Sequence, residues 1–479
     1  MKNFLFALMA FGLLFTLFSC NDNLYLGITP GGSQDNAYAR RLIKEGIVPG
    51  PELFTYEGMF SEHDFHLNID NECNDAVCID TVITKYKPIL GDNKEKYVAQ
   101  LIMSSNIEAE NFKHAPIDLF IVLDKSGSMS GTRMKEAKEA VKSVVDKLNA
   151  DDTFGLIVFN SEYKVKRELS EVGEDKSKIK AIIDDLNANG GTNIEDALKK
   201  AYELLERYGK KSNRRIILIT DARPNIGAVG ENDFLGIIRE YEQKIGITVF
   251  GVGLDFGQGL AKAISETKGG NYIYLSDIKQ IKKRLDEEFE FLISPIAENF
   301  KLNIKSFEHF KILNTYGLPQ KNNENIQLSA KTLFLSKTKG AVAIEFEYEN
   351  PDDNIIVPMD NENFFGYDWE YSDLNGVKSE KSEMIYFSPF SNTSGNYGYS
   401  IEGSEKLPFL INMVSVLKEV CSMYYTYTEN SAEFKQKEID LLDKLLYDLD
   451  AVNSVLEDEQ LLIEKDMISD LKDIIKKGY

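Results

Sequence analysis

Between residues 117 and 295 the apolar positions follow two alternating patterns. Short, nearly continuous apolar runs at Leu119–Leu123, Phe154–Phe159, Ile216–Ile219 and Ile247–Val252 suit strands covered on both faces, where successive side chains meet protein rather than water. The segments Met134–Leu148, Ile179–Leu186, Ala197–Leu205, Phe234–Tyr241 and Ile278–Leu292 carry apolar residues at three- and four-residue intervals and predict amphipathic helices. This repetition predicts an α/β fold with a doubly wound, mostly parallel sheet, whose ligand-binding loops collect at the C-terminal edge of the strands.

The flanking regions read differently. Residues 37–116 combine a helical segment near Ala37–Glu45 with alternating stretches such as Phe65-His66-Leu67-Asn68-Ile69 and Tyr97–Ile102, and are expected to be β-rich. Alternation returns in 296–403, at Lys301–Ile304, Thr332–Leu335 and Val342–Tyr348, with turn signals Asn350-Pro351 and Asn375-Gly376. The simplest arrangement is one β-sandwich with the α/β domain inserted into it, although strand pairing is not readable from one sequence. Residues 404–479 carry two helical stripes, Leu410-Val414-Leu417-Cys421-Tyr424 and Leu442-Leu445-Leu449-Val452-Leu456, expected as core or a helical hairpin.

At the N-terminus, Lys2 precedes an apolar run from Phe4 to Phe18 that is short for a membrane span of about 20 residues and has the layout of an export signal. It ends in Leu17-Phe18-Ser19-Cys20, which resembles a bacterial lipoprotein box; the resemblance implies acylation of Cys20 after removal of the preceding residues. A cleaved soluble protein and an uncleaved anchor are the alternatives. Residues 1–20 are thus the signal and 21–36, with Pro30-Gly31-Gly32-Ser33, a tether. The expected location is exported and lipid-anchored to a bacterial membrane of the cell envelope, with the outer membrane or cell surface as candidates within it. No later apolar run reads as a span, leaving the lipid as the membrane attachment.

Composition narrows the function classes. The 479 residues are 43% hydrophobic and 28% charged with 12 prolines, which excludes wholesale disorder. Against 55 basic residues stand 77 acidic ones, a net charge of −22, so the average surface repels nucleic-acid phosphates and no nucleic-acid partner is expected. Cys73 and Cys78 bracket a polar Asn-Asp-Ala-Val loop and can close a disulfide on the oxidising side of a membrane, free thiols or half a metal site being the alternatives. Cys421 lies within an apolar stripe and reads as a buried small hydrophobe.

The first strand of the α/β unit ends in Asp124-Lys125-Ser126-Gly127-Ser128-Met129, a second polar loop reads Gly190-Gly191-Thr192-Asn193, and a third strand ends in Thr220-Asp221. A parallel sheet can bring these three loops to one edge. They offer only oxygen, a donor set that suits a hard divalent cation over zinc or copper. The set Asp124-x-Ser126-x-Ser128, Thr192 and Asp221 is similar to the metal-ion-dependent adhesion site of von Willebrand factor type A domains. That resemblance implies Mg²⁺, with Mn²⁺ or Ca²⁺ as alternatives, held directly by Ser126 and Ser128, directly or through water by Thr192, and mainly through water by Asp124 and Asp221. It also implies an open coordination position taken by an Asp or Glu carboxylate of a protein ligand. Gly251-Val252-Gly253 and Lys268-Gly269-Gly270-Asn271 accompany the pattern, while Ala222 stands where many members have glycine.

The resemblance extends further. Thr29–Asp35 together with Glu57–Asp64 is similar to the N-terminal segment of exported bacterial lipoproteins carrying this domain, and the domain order is similar to inter-alpha-trypsin inhibitor heavy chains. The reading is therefore a non-catalytic binding protein, with an envelope scaffold holding a merely structural metal as the alternative. The four histidines, at 63, 66, 114 and 309, stand beside no serine or cysteine in a nucleophile setting. His63 and His66 could ligate a metal, and more often such a pair is surface or core. Gly251-Val252-Gly253 lacks the remainder of a dinucleotide-binding fingerprint.

Overall fold

Ahead of the α/β unit come β1 (Asn23–Leu26), α1 (Asn36–Lys44), a 3-10 turn at Pro51–Leu53, α2 (Tyr56–Glu62), β2 (Cys78–Tyr86) and β3 (Lys96–Glu108). The computed structural model describes residues 23–26, 36–65, 67, 73–91, 94–108, 112–221, 231–252, 264, 267–275, 279–316, 325–336, 342–350, 357–426 and 432–478. The α/β unit contains β4 (Ile117–Asp124), α3 (Thr132–Lys147), β5 (Thr153–Phe159), β6 (Tyr163–Glu171), α4 (Ser177–Asp184), α5 (Ile194–Tyr208), β7 (Asn213–Thr220), α6 (Glu231–Tyr241), β8 (Gly246–Val252), β9 (Gly270–Leu275) and α7 (Lys279–Ile293).

Its sheet runs in the order β6-β5-β4-β7-β8-β9. All pairs are parallel except β5 with β6. Every residue of β4 is buried, as its unbroken apolar sequence demands of a central strand. One face packs on α3, α4 and α7 through Leu119, Ile121 and Leu123, and the other on α5 and α6 through Phe120 and Val122. Fully burying each such side chain stabilises the fold by about 1.5–3 kcal/mol. The antiparallel edge strand β6 escaped the periodicity because its side chains are largely exposed and polar.

Helix α3 follows β4 onto one face and α6 follows the adjacent β7 onto the other. The strand order therefore reverses between β4 and β7, which opens a crevice at their C-terminal ends. Asp124 and Asp221 lie at the two sides of that crevice.

After α7 come β10 (Pro295–Ser306), β11 (Phe310–Tyr316), β12 (Asn325–Ser336), β13 (Val342–Tyr348), β14 (Asn363–Ser372), β15 (Lys378–Tyr386), β16 (Asn392–Ser394) and β17 (Tyr397–Tyr399). Strands from before and after the α/β unit pair directly: β1 with β12, β3 with β13, and β2 with β17, all antiparallel. One layer (β11, β13, β3, β2, β17, β16) packs on the other (β12, β10, β14, β15) through a shared core that includes Ala99, Leu101 and Phe346 on one side and Leu302, Ile304 and Trp369 on the other. The β14–β15 hairpin turns at Asn375-Gly376, where Gly376 takes a φ of 82° that a side chain would disfavour.

Several expectations need correction. Within the expected tether 21–36, Asn23–Leu26 form β1, a strand of the sandwich paired with β12 and β3. Phe65 and Leu67 are not in a strand; both side chains are buried, and the alternation records packing of a loop. The remaining residues of that stretch lie outside the described residues. The early region also holds α2, which the alternation did not show, capped by Thr55, whose side chain accepts from Gly58 N at 3.2 Å; β2 and β3 are both longer than α2, as a β-rich region requires. Finally, the C-terminal region has three helices, α8 (Lys406–Thr426), α9 (Ala432–Leu456) and α10 (Glu459–Lys477). Asp458 caps α10 by accepting from Gln460 N at 2.7 Å.

These helices form one core with α1 and α2. Both predicted stripes face inward, with Leu410, Val414, Leu417, Cys421, Leu442, Leu445, Leu449 and Val452 fully buried. Contrary to the reading that nothing after the leader has the length and apolarity of a span, α8 has both; 72% of its most apolar stretch is buried within the protein. Cys73 and Cys78 form a disulfide, and Cys421 is free and buried.

Candidate functional site at the C-terminal edge of the sheet

Asp124 ends β4 with no exposed surface. Its Oδ1 accepts from Ser126 N at 2.7 Å and its Oδ2 from Thr220 Oγ1 at 2.6 Å. Burial raises its pKa, against the lowering effect of the Thr220 and Ser126 hydrogen bonds, and the neighbouring Asp221 raises it further. The carboxylate is thus held rigidly with little freedom to turn away.

Ser126 and Ser128 leave the strand on the same side, with their hydroxyl oxygens 3.0 Å apart. The Ser128 hydroxyl donates to Asp221 Oδ1 at 2.8 Å. Asp221 Oδ2 accepts from Arg133 Nη1 at 2.9 Å, and the same nitrogen lies 3.2 Å from Ser128 O. Arg133 is half exposed while the Asp221 side chain is only 3% exposed, so the guanidinium covers the carboxylate from the solvent side.

The Thr192 loop is fastened to this turn by backbone. Gly127 N donates to Gly190 O at 2.9 Å and Asn189 N to Lys125 O at 2.8 Å. Gly190 has a φ of 79°, and a Cβ there would stand 2.9 Å from Asn160 Nδ2, so both the turn and the close approach call for glycine. Asn193 then caps α5, its side chain accepting from Asp196 N at 3.4 Å. Thr192, between these anchors, is 8% exposed.

The structure thus brings Asp124, Ser126, Ser128 and Asp221 into one hydrogen-bonded chain and sets the Thr192 loop beside it. Sequence reasoning missed Arg133, Thr220 and Asn160. Thr220 could have been suspected from its place before Asp221 at a strand end; Arg133, five residues beyond Ser128 on α3, gave no pattern. Gly253 and Ala222 lie outside the described residues.

Residues 118–287 match the von Willebrand factor type A domain family. The α/β unit has the von Willebrand factor type A fold. Inter-alpha-trypsin inhibitor heavy chain H4 of Sus scrofa is 25% identical over 244 residues, 50% of this chain and 25% of that protein. The uncharacterized protein YfbK of Escherichia coli (strain K12) is 24% identical over 276 residues, 56% of this chain and 48% of that protein. This chain therefore spans about a quarter of the length of that heavy chain. A solved structure, the von Willebrand factor type A protein from Catenulispora acidiphila, superposes with a TM-score of 0.43 at 15% identity, covering 85% of this chain and 91% of that one.

Von Willebrand A domains serve adhesion and protein interaction rather than catalysis, and the histidines agree with a structural use. His63 Nε2 lies 3.3 Å from Glu464 Oε1 in a buried cluster in which Arg40 pairs with Glu62 at 2.6 Å. Burial lowers the His63 pKa against the opposing Glu464 contact, and this cluster ties α1 and α2 to α10. His66 is outside the described residues. Among the described residues no three His, Cys, Asp or Glu side chains are grouped so as to hold a metal; the von Willebrand A edge offers two carboxylates beside hydroxyls.

Proposed function

We propose that the von Willebrand A domain binds a protein ligand through a divalent cation, most readily Mg²⁺, held at Asp124, Ser126, Ser128, Thr192 and Asp221. The observation that carries this reading is the spacing of the oxygens: Ser126 Oγ to Ser128 Oγ is 3.0 Å and Ser128 Oγ to Asp221 Oδ1 is 2.8 Å. Adjacent ligands of an octahedral ion with bonds of about 2.0–2.1 Å stand roughly 2.8–3.0 Å apart. Three neutral hydroxyls beside two carboxylates suit a hard ion and would leave it attractive to an outside anion. When bound, the ion supplies an electrophilic position for a ligand Asp or Glu carboxylate.

The chain's own residues prepare that position. Thr220 and Ser126 N fix Asp124, and the backbone bonds between the Gly127 and Gly190 turns fix the hydroxyls in place. Such preorganisation reduces the ordering cost of binding. Arg133 balances Asp221 in the meantime.

Thermal unfolding of the protein in EDTA, Mg²⁺, Mn²⁺ or Ca²⁺, beside Asp124→Asn, tests the metal. A native-state site saturated a hundredfold above its dissociation constant stabilises by about 2.7 kcal/mol; a rise in the parent and none in the variant is expected. No response to any of the ions in the parent removes the metal from the reading. Retention of a carboxylate-bearing partner in EDTA would likewise remove it from the binding mechanism.

Export and acylation of Cys20 complete the proposal and rest on the leader sequence; radiolabelled palmitate incorporated into the parent and absent from Cys20→Ser checks them. A second reading, an envelope scaffold whose metal only stiffens loops, is favoured by Tyr447, Leu462 and Ile463, apolar side chains left exposed on the C-terminal helices. Deleting the region cannot discriminate the two, because α8–α10 form one core with α1 and α2. Loss of a complex in Leu462→Lys with the metal response intact would favour the scaffold.

A further inference from the structure

A cavity of about 590 Å³ opens where the sandwich meets the helical unit, away from the von Willebrand A edge, with Tyr56, Tyr86, Tyr316, Glu345, Asn412 and Ser415 in its wall. Its size falls within the range of small-molecule sites, about 300–1,000 Å³. Glu345, on β13, is 4% exposed. Its Oε1 accepts from the Tyr86 hydroxyl, and its Oε2 accepts from Asn314 Nδ2 and, at 3.1 Å, from the Tyr316 hydroxyl.

All three donors are neutral. Among the described residues no lysine, arginine or histidine forms an ion pair with Glu345; Lys96, which also lines the cavity, instead meets Glu347 at 3.2 Å. A carboxylate withdrawn from water is costly unless a cation answers it. It also has about four acceptor positions, of which the three bonds fill two on Oε2 and one on Oε1. The remaining position on Oε1 can take an N–H donor.

Two ammonium groups of the protein oppose a further cation here, Lys96 in the wall and Lys418, whose Nζ lies 5.9 Å from the Tyr56 ring centroid, while the tyrosines suit a positive charge with an organic body. The rings of Tyr56 and Tyr316 lie 4.6 Å apart at 53°, and aromatic faces attract cations. Tyr56 is steadied by Ser415, oxygen to oxygen at 2.9 Å, so that ring is held by α8 while Tyr316 belongs to the sandwich. We propose that this cavity binds a small organic cation carrying a primary ammonium, with Glu345 as its counter-ion and the three tyrosines as its aromatic wall.

Titration calorimetry on the full chain with n-butylammonium, butyltrimethylammonium and butan-1-ol tests this, at about 0.15 M salt to screen general attraction to an acidic surface. The expected result is binding of n-butylammonium, at least tenfold weaker binding of butyltrimethylammonium, which has no N–H, and no binding of butan-1-ol. Glu345→Gln, which keeps the shape and most hydrogen-bonding capacity, should weaken n-butylammonium binding at least tenfold; Tyr56→Leu, at the other wall, should weaken it while leaving the Glu345 contacts in place. Absence of n-butylammonium binding to the parent, equal binding of the alcohol, or unchanged affinity in Glu345→Gln would overturn the proposal.

Discussion

His114 stands three residues before β4, where the chain enters the von Willebrand A domain, and its ring reaches both ends of the insertion. Its Nδ1 lies 2.6 Å from Glu290 Oε2 on α7, the helix by which the chain leaves, and its Nε2 lies 2.8 Å from Asp152 Oδ2 ahead of β5. Asp152 also accepts from Ile117 N at 3.0 Å and Asn149 N at 2.6 Å. Burial works against a charged imidazole here, but hydrogen bonds to Asp152 and Glu290 outweigh it and push the pKa from 6.5 up to about 9. Both ring nitrogens then donate, as only the imidazolium can.

Since the folded-state value lies above the unfolded one, the contribution is fully present below about pH 6.5 and is lost as pH rises through about 9. At 1.36 kcal/mol per tenfold change, it amounts to about 3 kcal/mol as an upper figure. The pKa values of Asp152 and Glu290 are lowered by the same contacts, against burial, so their share appears above the ordinary carboxylate range and is lost in acid. Denaturant unfolding followed by circular dichroism between pH 6 and 10 should show the parent falling toward His114→Gln as pH rises, and NMR should find the imidazole titrating near pH 9. Parallel stability curves for the two proteins, or a His114 titration below pH 7, would refute the reasoning.

Arg133→Gln removes a half-exposed cation from Asp221; since such pairs contribute up to about 1 kcal/mol, Mg²⁺ should bind up to about fivefold more tightly by calorimetry. Reducing the constraint at Cys73 and Cys78 by the double serine variant frees a loop with a sequence separation of 5 and should cost about 2 kcal/mol in a denaturant series. Arg215→Met should lower stability by about 2–4 kcal/mol at neutral pH, read as a fall in thermal midpoint. Its buried guanidinium bonds Ile293 O, Thr248 Oγ1 and Gly269 O at 3.0–3.1 Å, and these acceptors would lose their partner.

The von Willebrand A domain was legible because its order is local. Each buried strand shows an apolar run, each helix a 3.6-residue period, and the turn after β4 places Ser126 and Ser128 at a spacing fixed by a few backbone angles. The sandwich was legible as strands but not as pairings: Ile344 opposite Ala99, or Tyr397 opposite Tyr86, joins residues separated by hundreds of positions. The helix α10 went unseen beside two stronger stripes, although Leu461, Ile468, Leu471 and Ile475 are all fully buried.

What the sequence by itself determined were the element types of the α/β unit apart from the exposed edge strand β6, the loop chemistry at its strand ends and the apolar stripes of α8 and α9, because covalent spacing and side-chain period set these within a few turns of chain. Only the tertiary structure decided that Arg133 covers Asp221, that His114 joins the two ends of the insertion, and that Glu345 is buried against Tyr86, Asn314 and Tyr316. Those contacts depend on where distant segments come to rest, and burial then sets the strength and the protonation of each group, a property no local pattern carries.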